Sequence, residues 1–151
     1  MKYLARPLAV FVLRAVSTLA CAADGLVAVK SPHSAKATMD KLEATAKDKG
    51  LNIFARIDHA AGAASIGQTL RPTEVLIFGN PKGGTPFMTC AQSVGIDLPL
   101  KALVWEDASS QVWVGYNDPA WLAQRHGAET RAVVPNLQKA LQGLAAAAVA
   151  L

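Results

Sequence analysis

Residues 100–119 read LKALVWEDASSQVWVGYNDP, and this stretch decides how the chain folds. Leu100 to Glu106 and Gln111 to Tyr116 are rich in β-branched and aromatic residues, the composition of half-buried strands. Asp107-Ala108-Ser109-Ser110 lies between them with the polarity and length of a hairpin loop, so the two runs are expected to pair antiparallel. Asp118-Pro119 then combines an N-cap side chain with a proline at the first helical position. It opens a helix expected from Pro119 to His126, which Gly127 ends.

Upstream of the hairpin the same signals recur. Leu26 to Lys30 reads as a strand stopped by Ser31-Pro32, and Ser34 caps an amphipathic helix carrying Ala37, Met39, Leu42 and Ala46 on one face. Gly50 supplies its left-handed stop. From Leu51 to Ile57 apolar and polar residues alternate, predicting a strand with Leu51, Ile53, Ala55 and Ile57 on its covered face. Ala60 to Gly67 is small and glycine-bearing and reads as a flexible loop before a strand from Glu74 to Phe78. Gly79-Asn80-Pro81-Lys82-Gly83-Gly84 reads as a turn, with Thr85-Pro86 opening a helix to about Val94. Downstream, Pro135 to Ala148 forms a last helix with Leu137, Leu141 and Leu144 aligned. The order predicts an α+β fold: a two-layer domain with a mostly antiparallel sheet of about five strands and helices on one face.

The 151 residues suffice for one domain, and 52% hydrophobic content with 17% charged residues excludes the disordered class. Lys2, Arg6 and Arg14 supply three of the four net positive charges, so the remainder carries about +1. With no basic block or aromatic stripe left, nucleic acid is not an expected partner. Met1 to Ala22 has the layout of a cleavable export signal: basic residues, an apolar stretch from Pro7 to Leu13, and Ala20-Cys21-Ala22 at the cleavage site. Residues 1–22 are therefore expected to leave as a signal peptide, giving a periplasmic or secreted domain of residues 23–151 with no transmembrane segment. Leu19-Ala20-Cys21 resembles a lipidation site, a weaker reading because Thr18 replaces the usual larger aliphatic residue. After cleavage Cys90 alone remains, too few cysteines for an internal disulfide, and its apolar surroundings suggest a buried, inert thiol.

Several blocks carry a family resemblance. Ala55-Arg56-Ile57-Asp58-His59-Ala60-Ala61-Gly62, then Leu70 to Lys82, Gly95 to Lys101, Val104-Trp105-Glu106-Asp107 and Tyr116-Asn117-Asp118-Pro119 resemble, in order, the bacterial and archaeal family called domain of unknown function 302. The resemblance covers roughly Gly25 to His126, while Cys90 and the leader fall outside its pattern. It implies a compact two-layer α+β domain and makes a homodimer plausible; it implies no activity and no cofactor.

The residues themselves offer two chemistries. Asp58-His59 at a strand end could ligate a metal or move a proton, and Asn80, Lys82 and Thr85 could hold an anion where a helix begins. A pocket joining Asp58 and His59 to Asn80 and Lys82 is expected, making the domain a binding module for a small ligand, anion or metal ion. The alternative is a small enzyme with His59 as general base and Glu106 or Asp107 as its partner. Simpler roles compete with both: Asp58 as a backbone cap, Asn80 and the glycines as turn residues, the two carboxylates as solvated turn groups. Trp105 and Trp113 read as core or interface anchors, and an exposed sheet edge or apolar face favours a homodimer. No P-loop, zinc spacing or nucleophile elbow occurs, and the cofactor is left unknown.

Intact-mass measurement of the exported protein is expected to give a chain beginning at Ala23. A mass retaining residues 1–22, or a diacylglycerol on Cys21, would overturn that cleavage.

Overall fold

The structure is a computed structural model that describes residues 23–129 and 132–151; the expected signal peptide lies outside these residues. Strands β1 (Leu26–Ser31), β2 (Asn52–Asp58), β3 (Thr73–Gly79), β4 (Leu100–Glu106) and β5 (Val112–Asn117) form one antiparallel sheet in the order β1-β5-β4-β3-β2. Helices α1 (Ala35–Asp48) and α5 (Val133–Val149) pack on one face of it, while α3 (Pro81–Met88) and α4 (Pro119–Arg125) lean on α5. The α+β expectation holds, as does the hairpin: Trp105 pairs with Trp113 and Glu106 with Val112.

Local chemistry accounts for the helix starts. Ser34 Oγ accepts from the Ala37 N–H at 3.3 Å, and Asp118 Oδ1 accepts from the Ala120 N–H at 2.9 Å. Three expectations are corrected. The segment read as a loop from Ala60 to Gly67 is largely helix α2 (His59–Ser65): Asp58 caps it by accepting from the Ala61 N–H at 2.9 Å, and alanine is the best helix former. The helix expected from Thr85 to Val94 begins earlier, with Asn80 rather than Thr85 as its cap. It ends at Met88, and a separate 3₁₀ turn (Gln92–Ile96) follows. In β2, the register shifts between Ile53 and Ala55, so a β-bulge at Phe54 breaks the alternation. Ile53 and Arg56 therefore pair with Phe78 and Leu76 on the helix side, while Ala55 and Ile57 pair with Ile77 and Val75 on the other.

The core lies between sheet and helices. Met39, Leu42 and Ala46 of α1 and Leu141, Leu144 and Ala148 of α5 cover Leu76, Phe78, Val104 and Val114, all essentially inaccessible. A second cluster joins Phe87, Val94, Leu122 and Val134 where α3, the 3₁₀ turn, α4 and α5 meet. Cys90 is half-buried at its margin rather than within a helix. On the sheet's other face Trp105 and Trp113 stack with ring centroids 6.2 Å apart, and the Lys30 ammonium lies 5.3 Å from the Trp113 ring. Gly115 makes room for this stack: a Cβ there would come within 2.7 Å of the Trp105 ring.

Arg56 ties the edge strand to α1. Its Nη1 donates to Asp40 Oδ1 at 2.8 Å and Glu43 Oε2 at 3.0 Å, while Nε and Nη2 grip both oxygens of Glu74. Hydrogen bonds from Lys36 and then Arg56 hold the Asp40 carboxyl below its ordinary 3.8, and those from Lys47 and then Arg56 hold Glu43 below 4.5. Carboxyls depressed in the folded state stabilise it above their ordinary range, and that contribution disappears as pH falls through the depressed values.

Two outcomes follow for thermal melts followed by circular dichroism. Arg56→Met is expected to cost on the order of 1 kcal/mol near neutral pH and to shrink the loss of melting temperature on acidification to about pH 3. Phe78→Ala is expected to cost about 3–5 kcal/mol at either pH, because it empties a fully buried site.

Candidate functional site

A cavity of about 550 Å³ is walled by α3, α5, Leu98 and Pro99, and the neighbouring ends of β2, β3 and β4. Its lining is mainly aliphatic, and among its residues are Asn80, Lys82 and Thr85, the three expected to hold an anion. The sequence alone could not show the apolar part. Leu137, Leu141 and Leu144 come from the aligned face of α5, where only part of the stripe is spent on the sheet; Leu137 stays half-buried. Phe54 is 57% exposed and reaches the cavity from the β-bulge, having no cross-strand partner in the register.

The glycine-rich turn does a different job from the one its composition suggests. Asn80 Oδ1 accepts from the Gly83 N–H at 3.3 Å, and the Asn80 carbonyl accepts from the Gly83 and Gly84 amides at 3.1 Å. Those amides are thus engaged by the protein itself instead of forming an open anion cradle. Gly83 and Gly84 allow close approach: a Cβ would stand 3.4 Å from Leu137 Cδ2 and 3.6 Å from Leu98 Cδ1, respectively. The remaining polar groups on this wall are the Lys82 ammonium and the Thr85 hydroxyl, both exposed and making no side-chain hydrogen bond among the described residues.

Asp58 and His59 are elsewhere. Asn52 pairs with Gly79 beside the cavity, whereas Asp58 pairs with Glu74 at the far end of β2, about 20 Å away along the strand. The expected single pocket joining Asp58 and His59 to Asn80 and Lys82 is therefore corrected to two separate places. Asp58 and Glu106 border a second hollow of about 470 Å³ with Lys36, Arg56 and Glu74. His59 is exposed and forms no hydrogen bond with Glu106 or Asp107, so the general-base arrangement is not assembled. Asp107 organises the hairpin loop: Oδ2 accepts from Trp113 Nε1 at 2.8 Å, and Oδ1 accepts from the Ser109 and Gln111 amides at 2.8 and 3.0 Å. These bonds, the indole's above all, hold its carboxyl below the usual carboxylate range. Among the described residues no group of three His, Cys, Asp or Glu converges to hold a metal ion, so Asp58 and His59 lack a third ligand.

Comparison with known proteins agrees with this architecture. A solved structure of a DUF302 protein from Bacillus stearothermophilus superposes with a TM-score of 0.72 over 82% of this chain and 97% of that one, at 18% identity, a likeness of fold. The protein called fluoride-specific ion channel FluC 1 in Brucella suis is 54% identical over 103 residues, which are 68% of this chain and 41% of that protein. FluC 2 of Brucella melitensis matches equally, over 38% of its length, so the chain spans about two fifths of these relatives. No helix among the described residues is long and apolar enough to cross a membrane. Residues 27–144 match the family described as domain of unknown function DUF302, and the chain belongs to that family.

Proposed function

We propose that the domain is a binding module for a small amphiphilic anion, whose apolar body occupies the cavity between α3 and α5 and whose charge meets Lys82 and Thr85. The observation that carries this reading is the cavity itself. At about 550 Å³ it falls within the range of roughly 300–1,000 Å³ typical of small-molecule sites, and it pairs an aliphatic lining with a few polar groups on one wall. A bare inorganic ion or metal gains little from such a lining, because taking a charge out of water has to be offset by several ligating groups. Burial of an alkyl chain, by contrast, contributes about 0.8 kcal/mol per methylene.

The channel names of the Brucella relatives offer a competing reading for this chain. A channel must cross the bilayer with its backbone groups satisfied. The described helices of this chain are not long and apolar enough for that, and the chain spans only about two fifths of those relatives. We infer that this chain's domain serves as a ligand-binding part rather than as a conducting one. For this chain, the leader composition supports export to the periplasm.

Association of two copies is a second proposal, supported by the sheet face opposite α1 and α5. There Ile57, Val75, Ile77, Leu103, Trp105 and Trp113 are only partly covered. Pairing of these faces would remove apolar area from water, and light scattering at micromolar concentration is expected to give twice the chain mass. Trp113→Glu should shift it to the monomer, and a monomeric parent would rule the pairing out.

Calorimetric titration with decanoate, with decanol as the neutral control, tests the ligand reading. Both are expected to bind the parent protein, and Ala140→Trp, which fills the cavity from an exposed position on α5, should abolish both. Lys82→Ala should weaken decanoate several-fold and leave decanol unchanged. Absence of binding by either compound, or binding indifferent to Ala140→Trp, would overturn the proposal.

A further inference from the structure

We propose that Ser93, His126 and Asp97 form a nucleophilic site that cleaves small carboxylic esters, separate from the ligand cavity. The three residues stand in a hydrogen-bonded line. Ser93 Oγ lies 2.9 Å from His126 Nδ1, and His126 Nε2 lies 2.6 Å from Asp97 Oδ2. A carboxylate can only accept, so Nε2 carries a proton, and in the neutral imidazole Nδ1 then presents its lone pair to the serine hydroxyl. This is the nucleophile, base and orienting acid of acyl-transfer sites, with the two imidazole nitrogens exchanging their usual partners. Recognition of such a site rests on geometry and roles rather than on sequence order.

Burial is graded in the direction that chemistry needs. The His126 and Asp97 side chains are 7% and 14% exposed, while Ser93 is on the surface and open to an ester arriving from solvent. Both supporting segments are fixed. His126 closes α4, its N–H donating to the carbonyls of Leu122 and Ala123, and Gly127 at φ +66° turns the chain away immediately after it. The 3₁₀ turn bearing Ser93 is anchored by Val94, which is 0% exposed in the second core cluster. Arg125 Nη1 approaches the other oxygen of Asp97 at 3.5 Å and keeps that carboxylate turned toward the imidazole. A tie between helix and turn requires only the Asp97–His126 bond; the serine on the opposite ring nitrogen is the additional element that creates a base for a hydroxyl.

The reaction closes on its own atoms. Ser93 Oγ attacks the ester carbonyl as its proton moves to His126 Nδ1, forming the Oγ–acyl bond. The carbon–oxygen bond to the alcohol then breaks, and the alcohol leaves with the proton from Nδ1. Asp97 faces the imidazolium that exists between these events. Water attacks the acyl-serine, again giving its proton to Nδ1, which returns it to Ser93 Oγ as the carboxylic acid departs. Ester and water become acid and alcohol, with no redox change and no cofactor.

The test uses the purified full chain with p-nitrophenyl acetate as substrate and a fluorophosphonate as covalent probe. The parent is expected to release p-nitrophenol and to carry the phosphonyl group on Ser93 by peptide mapping. Ser93→Ala, which removes one exposed hydroxyl and should leave the circular dichroism unchanged, is expected to lower the rate by about 100-fold or more and to abolish labelling. Asp97→Asn should lower turnover while leaving Ser93 in place; if that variant unfolds, Ser93→Ala alone decides. Equal hydrolysis by parent and Ser93→Ala, labelling at any other residue, or no turnover by the parent would overturn the assignment.

Discussion

Strands β1 and β2 follow one another in sequence yet occupy opposite edges of the sheet, so the connection that contains α1 has to carry the chain from one edge to the other. Four inter-strand gaps span about 19 Å. The four antiparallel steps leave β1 and β2 parallel, so the 14 residues of α1, about 21 Å long, together with the short segments flanking them also return the chain to the end of the sheet from which β1 started. This crossing fixes which face of the sheet is covered and which side chains of α1 must be apolar, namely Met39, Leu42 and Ala46. It also leaves one end of β2, β3 and β4 beyond its cover. There α5 and α3 have to complete the layer, and the cavity lies where they do so, with no α1 residue in its lining.

Much of this architecture was legible because it is written in short-range signals. The hairpin from Leu100 to Tyr116, the Asp118-Pro119 helix start and the Ser34 cap each depend on a handful of neighbouring residues. Strand order was not legible, since the pairing of Leu26 with Asn117 is made between residues that share no local pattern. Alternation in β2 misled for a specific reason. A bulge inserts one residue without changing the sequence's apparent period, so Ala55 and Ile57 exchange faces with respect to Ile53. The segment after Asp58 misled in the opposite way: its alanines carry strong helix propensity but no amphipathic stripe by which a helix is ordinarily read.

The candidate sites divide along the same line. Asn80, Lys82 and Thr85 were found together because they are close in sequence and α3 keeps them close in space. Their apolar complement on α5 and β2 depends on tertiary packing, and Leu137 or Phe54 looks like any other core or surface residue until the layers meet. Asp58 and His59 carried a composition suited to chemistry, but β2 delivers them to the opposite end of the sheet from Asn80. The line from Ser93 through His126 to Asp97 was invisible for the converse reason: Ser93 sits in a 3₁₀ turn, Asp97 directly follows that turn, and His126 closes a helix far along the chain.

The pairing of β1 with β5 also sets an order on the making of the protein. Strands β3, β4 and β5 each find a neighbour among those already synthesised and β2 waits only for β3, whereas β1 is made before any of them and must wait for residues 112–117 before its backbone groups have a partner. Until that moment one edge of the domain is a short unpaired strand, and the core beneath Val27 and Val29 stays open. Vectorial synthesis thus holds the sheet in an incomplete state until residue 117 has been made, and its first strand is the last to be paired.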